Sequence, residues 1–139
     1  AEQNSDSGKA LLKTAVQHLE TALQILPLDL VAVRATCLAD LGHAFSLIGE
    51  NQSQSISTLQ EVIRLAESVN DTFRIGENQL KLAKVYRSAG NTGHALHFAE
   101  AALRTYASLA PEAEDELLEV LNFLETVEEK ESPQEVFTA

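Results

Sequence analysis

Three side chains able to bind a transition metal follow one another at helical spacing: His94, His97 and Glu100. Steps of three keep them on neighbouring parts of one helix face, and imidazole with carboxylate is a donor set that suits zinc. A closed site needs further ligands, and no second cluster of His, Cys or carboxylate stands at a compatible spacing, so neither a metal nor a cofactor is expected. The one thiol, Cys37, lies in the apolar-rich run from Val31 to Leu41. A nucleophilic cysteine needs a base and an electropositive setting, and neither can be placed beside it. A small buried thiol is the expectation, with no internal disulfide and a reducing, cytoplasmic setting. Gly-x-Ser-x-Gly, the phosphate-binding loop and the dinucleotide fingerprint are all absent. Gly90-Asn91-Thr92-Gly93 reads as a turn between helices, and the many carboxylates near the C-terminal end lack the burial that tunes a general acid. The sequence offers no catalytic constellation, and we expect no enzyme.

The cations carry more information. Lys81, Lys84 and Arg87 follow at steps of three, so that three of the ten basic residues fall within seven positions of an acidic chain. Of the formal net charge of −11, residues 111–139 contribute −9, because ten acids there face Lys130 alone. A nucleic-acid binder needs a basic stripe to displace counterions from phosphates, and this balance excludes one.

What must position these groups is a set of helices. Six Gly and three Pro leave little turn chemistry for an all-β fold, whereas Ala, Leu, Glu and Gln are abundant and favour helix. Nothing approaches the roughly 18 consecutive apolar residues of a membrane span, and no membrane association is expected. With 139 residues the chain suffices for one domain with its own core. It begins with Ala and contains no Met, which suggests an excerpt of a longer protein or a processed product.

Internal repetition organises the helices. Ala15-Val16-x-x-Leu19-Glu20-x-Ala22-Leu23 returns as Ser55-Ile56-x-x-Leu59-Gln60-x-Val62-Ile63 and again as Ala95-Leu96-x-x-Ala99-Glu100-x-Ala102-Leu103, at a period of forty residues. Between them lie Leu41-Gly42-x-x-Phe45-x-x-x-Gly49 and Leu82-Ala83-x-x-Tyr86-x-x-x-Gly90. Apolar or small residues at i, i+1, i+4, i+7 and i+8 mark one helix face. Gly49 and Gly90 fall where a helix end needs a left-handed residue. The pattern predicts helices near 9–26, 30–48, 53–69, 72–89, 92–109 and 113–130. Residues 1–8 and 131–139 are expected as flexible segments, the latter acidic, flanking a single domain at 9–130. The helix at 113–130 lacks the Leu-Gly-x-x-aromatic motif and reads as a terminal cap.

The set Leu-Gly-x-x-aromatic, then Gly, then Ala-Leu, resembles the tetratricopeptide repeat. The longer period and the Asn70-Asp71 pair are similar to the extended-repeat arrays of G-protein-signalling modulators and kinesin light chains. The resemblance covers about residues 10–110. It implies an all-α fold, a right-handed superhelical stack of antiparallel helix pairs with about six helices. It also implies a protein-interaction scaffold holding a peptide or helix of a partner in its concave groove. Carried onto Leu41-Gly42, the groove positions are Arg34, Thr36, Ala39, His43 and Ser46. Carried onto Leu82-Ala83, they are Glu77, Leu80, Lys84 and Arg87. Arg34, His43, Lys84 and Arg87 would form a basic strip favouring a partner with acidic residues or a free carboxylate, against the plainer reading of a solvated face with pairs such as Glu77 to Lys81. The acidic sixth helix or tail would cover that strip when no partner is bound.

Two other functions stay open at this point. Similar arrays serve as ligand- or peptide-responsive regulatory domains of signalling proteins. The first helix, which has a second-helix pattern but no preceding partner in the chain, also offers Leu12, Val16, Leu19 and Leu23 for self-association or for upstream sequence.

Overall fold

The computed structural model describes the backbone of residues 2–138 and the side chains of residues 6–128. It is all-α, with six helices among the described residues: α1 (Glu2–Ile25), α2 (Val31–Ile48), α3 (Gln52–Ser68), α4 (Thr72–Ser88), α5 (Thr92–Ala107) and α6 (Glu114–Thr138). The inner boundaries agree with the pattern to within one or two residues. The outer ends run further, since α1 begins at Glu2 and α6 continues to Thr138. A lone Gly8 weakens a helix by about 1 kcal/mol relative to Ala but does not stop it. The side chains of 1–5 and 129–139, which fall in the segments expected as flexible, lie outside the described residues.

The contacts cluster in two compact units, residues 1–70 and 71–139, each of three helices. In the first unit α1 runs antiparallel to α2, as the pairing of Lys13 with Glu50 at one end and of Arg34 with the α1 carboxyl end at the other requires. Val16, Leu41, Ala44 and Ile48 are buried there, with Leu12, Leu19, Leu23, Leu38 and Phe45 packed around them. The apolar stripe of the first helix is thus used against α2, and is not left open as the sequence suggested.

Gly42 lets α2 and α3 approach. A Cβ built on it would stand 2.8 Å from Cδ2 of Leu59, itself only 1% exposed, and the Ser55 hydroxyl donates to the Gly42 carbonyl at 3.0 Å. α2 has the length and apolar composition of a membrane span. Its buried Ala35, Ala39, Leu41, Gly42 and Ala44 belong to this helix packing.

In the second unit α4 and α5 are antiparallel. Thr105 Oγ1 donates to Gln79 Oε1 at 2.7 Å near one end, and Tyr86 stacks on His94 and Phe98 near the other, with centroids 4.9 and 5.6 Å away. Ala83, Ala95, Ala99, Ala102 and Ala113 are fully buried beside Leu80, Val120, Phe123 and Val127. Here too a glycine sets the distance, because a Cβ on Gly76 would meet Cε1 and Cζ of the Tyr106 ring at 2.8 Å. Asn78 is fully buried on α4, its Nδ2 donating to the Arg74 carbonyl at 2.8 Å. α6 follows Pro111 and buries Val120, Phe123 and Val127, while Leu118 and Leu121 stay exposed, so its outer face is not purely the charged surface expected of a cap.

The turns repeat as the helices do. Gly49 (φ 72°), Asn70 (φ 57°) and Gly90 (φ 80°) take the left-handed conformation that closes a helix. Asn51, Asp71 and Asn91 then cap α3, α4 and α5, their side chains accepting from the backbone N–H of Ser53, Arg74 and His94. Each such cap contributes about 1 kcal/mol.

The glycines separate two effects. Gly8, where an added methyl group would meet nothing within 4 Å, should tolerate Gly8→Ala with a gain of up to about 1 kcal/mol from helix propensity. Gly76→Ala should lose stability in urea unfolding, because pushing aside a buried rigid ring costs about 1–3 kcal/mol and outweighs that gain.

Candidate functional site

The cations singled out on α4 all find partners within the second unit. Lys81 Nζ lies 3.2 Å from Glu77 Oε1, one turn earlier on the same helix. Lys84 Nζ is 3.6 Å from Oε1 of Glu119 on α6. The Arg87 guanidinium sits over the Phe123 ring, 4.6 Å from its centroid, and its Nη1 donates to Thr126 Oγ1 at 2.8 Å. Successive contacts from Lys84 to Arg87 meet increasing numbers along α6, so α4 and α6 run in parallel, as the first and third of three alternating helices must. The acidic sixth helix therefore meets Lys84 and Arg87 through its own residues 119–126. These contacts are made partly by an aromatic ring and a hydroxyl and only partly by acid.

Between α4 and α6 opens a cleft of about 210 Å³. Leu80 and Tyr106, both 3% exposed, form its base, and Glu77, Lys81, Lys84, Glu116 and Glu119 surround it. Tyr106 comes from α5 and reaches the cleft because Gly76 leaves room for its ring, with Phe73 tilted against it at 6.3 Å. Burial pushes the Tyr106 hydroxyl well above the usual phenol range, and Glu77, Glu116 and Glu119 push it in the same direction. It is a neutral phenol at any physiological pH, able both to donate and to accept a hydrogen bond.

The groove residues carried over from the repeat pattern divide between the two units. On α2, His43 is exposed, Ser46 half-buried and Ala39 buried. Thr36 is exposed, and its hydroxyl bonds back to the Ala32 carbonyl at 3.0 Å. Arg34 is turned away to another task, its Nη1 donating to the carbonyls of Leu23 and Leu26 at 2.9 and 3.0 Å. There it closes the carboxyl end of α1, where the helix leaves acceptors unmatched and the dipole favours a cation. On α4, Glu77, Leu80 and Lys84 line the cleft, while Arg87 lies further along on Phe123.

Reading first helices alone missed Tyr106, Glu116 and Glu119. Tyr106 belongs to a second helix, and its one sequence signal was the glycine at 76. The two glutamates were visible only as members of an acidic run.

The first unit has a cleft of about 320 Å³ over Val16, Phe45 and Ile48, with the Lys13–Glu50 pair (3.2 Å) at its rim. The histidines considered as ligands are engaged with their neighbours. His94 Nδ1 lies 3.0 Å from Asn91 Oδ1, and His97 stands edge-on to Phe98 at 5.1 Å. Among the described residues no group of three or more His, Cys, Asp or Glu is placed to hold a metal ion. Cys37 is buried, with Sγ donating to the Leu19 carbonyl at 3.4 Å. Burial and, after it, the charge of Asp40 raise its pKa.

In comparisons with known proteins, neither a protein-family model nor a curated protein matches this chain.

Two measurements check this geometry. Arg87→Ala should lower stability by about 1 kcal/mol through loss of the ring and hydroxyl contacts, whereas Lys84→Ala, which breaks a half-exposed pair, should change it by no more than about 0.5 kcal/mol. Because a raised pKa leaves less thiolate near pH 8, alkylation of Cys37 should be slow in the folded chain. It should reach the rate of a free thiol only in denaturant.

Proposed function

We propose that this chain is a tetratricopeptide-like interaction module that holds a peptide or helix of a partner protein, in a cytoplasmic setting, and that it carries out no chemistry of its own. The observation that carries the reading is the cleft between α4 and α6. It combines a buried apolar base, Leu80 and Tyr106, with a rim of charged side chains, which is how a site fixes one side chain of an extended ligand while leaving the rest in water. The repeat pattern supports it, since arrays of this kind bind along a concave surface lined mainly by the first helix of each pair, and α4 is such a first helix. Thr36, His43 and Ser46 on α2 are the corresponding first-helix positions of the other unit.

A second reading has its own support. Ile25, Leu28, Leu30 and Val33 are all large, apolar and 43–81% exposed around the turn from α1 to α2, and Leu11 on α1 is 72% exposed. Such an apolar group suits self-association, through the outer side of α1 and its turn and not through the Leu12, Val16, Leu19 and Leu23 stripe.

Selection from a random peptide library, followed by amide chemical-shift mapping, distinguishes the two. Groove binding predicts shifts at Leu80, Lys84 and Glu119 and a loss of at least about tenfold in affinity on Leu80→Arg with helicity retained. Selected peptides that leave these signals unmoved would sink the reading. A concentration-dependent mass in sedimentation, abolished by Leu28→Asp, would favour self-association.

A further inference from the structure

We propose that the cleft between α4 and α6 is a seat for one arginine side chain of the partner peptide, its guanidinium held by Glu116 and Glu119 and by the Tyr106 hydroxyl at the base. The inference rests on the peptide-binding reading and names the chemistry that the cleft selects.

The first argument is the state of Tyr106. The residue is only 3% exposed, yet its hydroxyl makes no hydrogen bond to any described residue and lies where Glu77, Glu116 and Glu119 act on it. Its ring is enclosed while its hydroxyl is left to the cleft it lines, so a ligand there finds a phenol free to accept and to donate a hydrogen bond.

The second argument is charge. Three carboxylates and two ammonium groups line the cleft, and both lysines are already matched, Lys81 with Glu77 and Lys84 with Glu119. Glu116 has no ion-pair partner among the described residues. An incoming carboxylate would face all three glutamates and would have to draw a lysine from its pair. An incoming cation meets Glu116 directly. Potential and unmatched groups therefore agree on a positive ligand, the reverse of the acidic partner that the spacing of Lys84 and Arg87 alone suggests.

The third argument is shape. A guanidinium presents five N–H donors in a planar fork and has no acceptor, which fits a setting of carboxylate and phenol oxygens, while Leu80 offers an apolar surface for the methylene stem. The phenol accepts from the fork and donates its own proton to a carboxylate. Charge-assisted bonds of this kind are roughly twice as strong as neutral ones.

The test uses the full chain, labelled with ¹⁵N, and three blocked pentapeptides in which arginine, citrulline or glutamate stands between pairs of glycines. Citrulline keeps the shape of arginine and removes its charge. The arginine peptide should shift the amide signals of Leu80, Tyr106 and Glu116 at up to about 10 mM, with at least about fivefold weaker binding by citrulline and none by glutamate. Glu116→Gln and Tyr106→Phe, which preserve size and ring packing, should each weaken the arginine response several-fold. Equal responses to arginine and citrulline, a response to glutamate, or no movement of these three signals would overturn the proposal. Library peptides that map to the groove with no cation in the cleft would remove this proposal and leave the peptide-binding reading intact. An arginine response without any groove-binding library peptide would do the reverse.

Discussion

Close approach of helices at small residues is the constraint on which the rest depends. A methyl group added at Gly42 would stand 2.8 Å from Leu59, one at Gly76 would stand 2.8 Å from the Tyr106 ring, and Ala83, Ala95, Ala99 and Ala102 are fully buried. Where a side chain is this small, the neighbouring helix comes close enough for large residues on either side to be enclosed from several directions. Leu59, Leu82 and Val62 are nearly or completely excluded from water as a result. Each such burial is worth about 1.5–3 kcal/mol, and it is available only because the chain leaves room at the crossing. At the same crossing the Ser55 hydroxyl bonds the Gly42 carbonyl at 3.0 Å.

The turns make these crossings repeatable. A left-handed residue ends one helix and an Asn or Asp caps the next, at Gly49 and Asn51, Asn70 and Asp71, Gly90 and Asn91. Asn51, Asp71 and Asn91 fall at equal intervals along the chain. Nearly equal helix lengths keep equivalent residues in register, so that Ser55 and Ala95, forty residues apart in the pattern, are each fully buried. Where the pattern has no glycine, at Asn70, the side-chain amide tolerates the positive φ. At the end of α1 no left-handed residue closes the helix; Arg34 does so from the next helix by donating to two of its terminal carbonyls.

Electrostatics here arranges more than it stabilises. The ion pairs on α4 are half-exposed, and pairs of that kind contribute about 0–1 kcal/mol each. Their effect is to hold Lys81 and Lys84 to glutamates at the rim of the cleft, so that its character is set by what is left over, Glu116 and the Tyr106 hydroxyl. The large negative charge of the C-terminal segment reaches this site through Glu116 and Glu119 on α6, whose apolar side, Val120, Phe123 and Val127, fixes where those carboxylates stand.

Much of the fold was legible in the chain. The forty-residue repetition, the paired glycines and the period of apolar residues gave an all-helical chain and inner helix boundaries to within one or two residues, because those features act over a single turn or a single helix face. The burial of Cys37 followed from its apolar surroundings in the same way. The candidate site was legible only in part. Glu77, Leu80 and Lys84, named from one helix, all line the cleft, but the sequence could not tell that Arg34 would turn to the end of α1 or that Arg87 would lie on Phe123. It gave no reason to join Tyr106, Glu116 and Glu119, which come from two other helices. Local spacing determines which residues share a helix face, since the helix geometry is fixed by the backbone. Which faces meet, and so which charges are neutralised and which polar groups are left unmatched, is decided only when helices distant in sequence pack, because those energies depend on distances through space that the chain does not record.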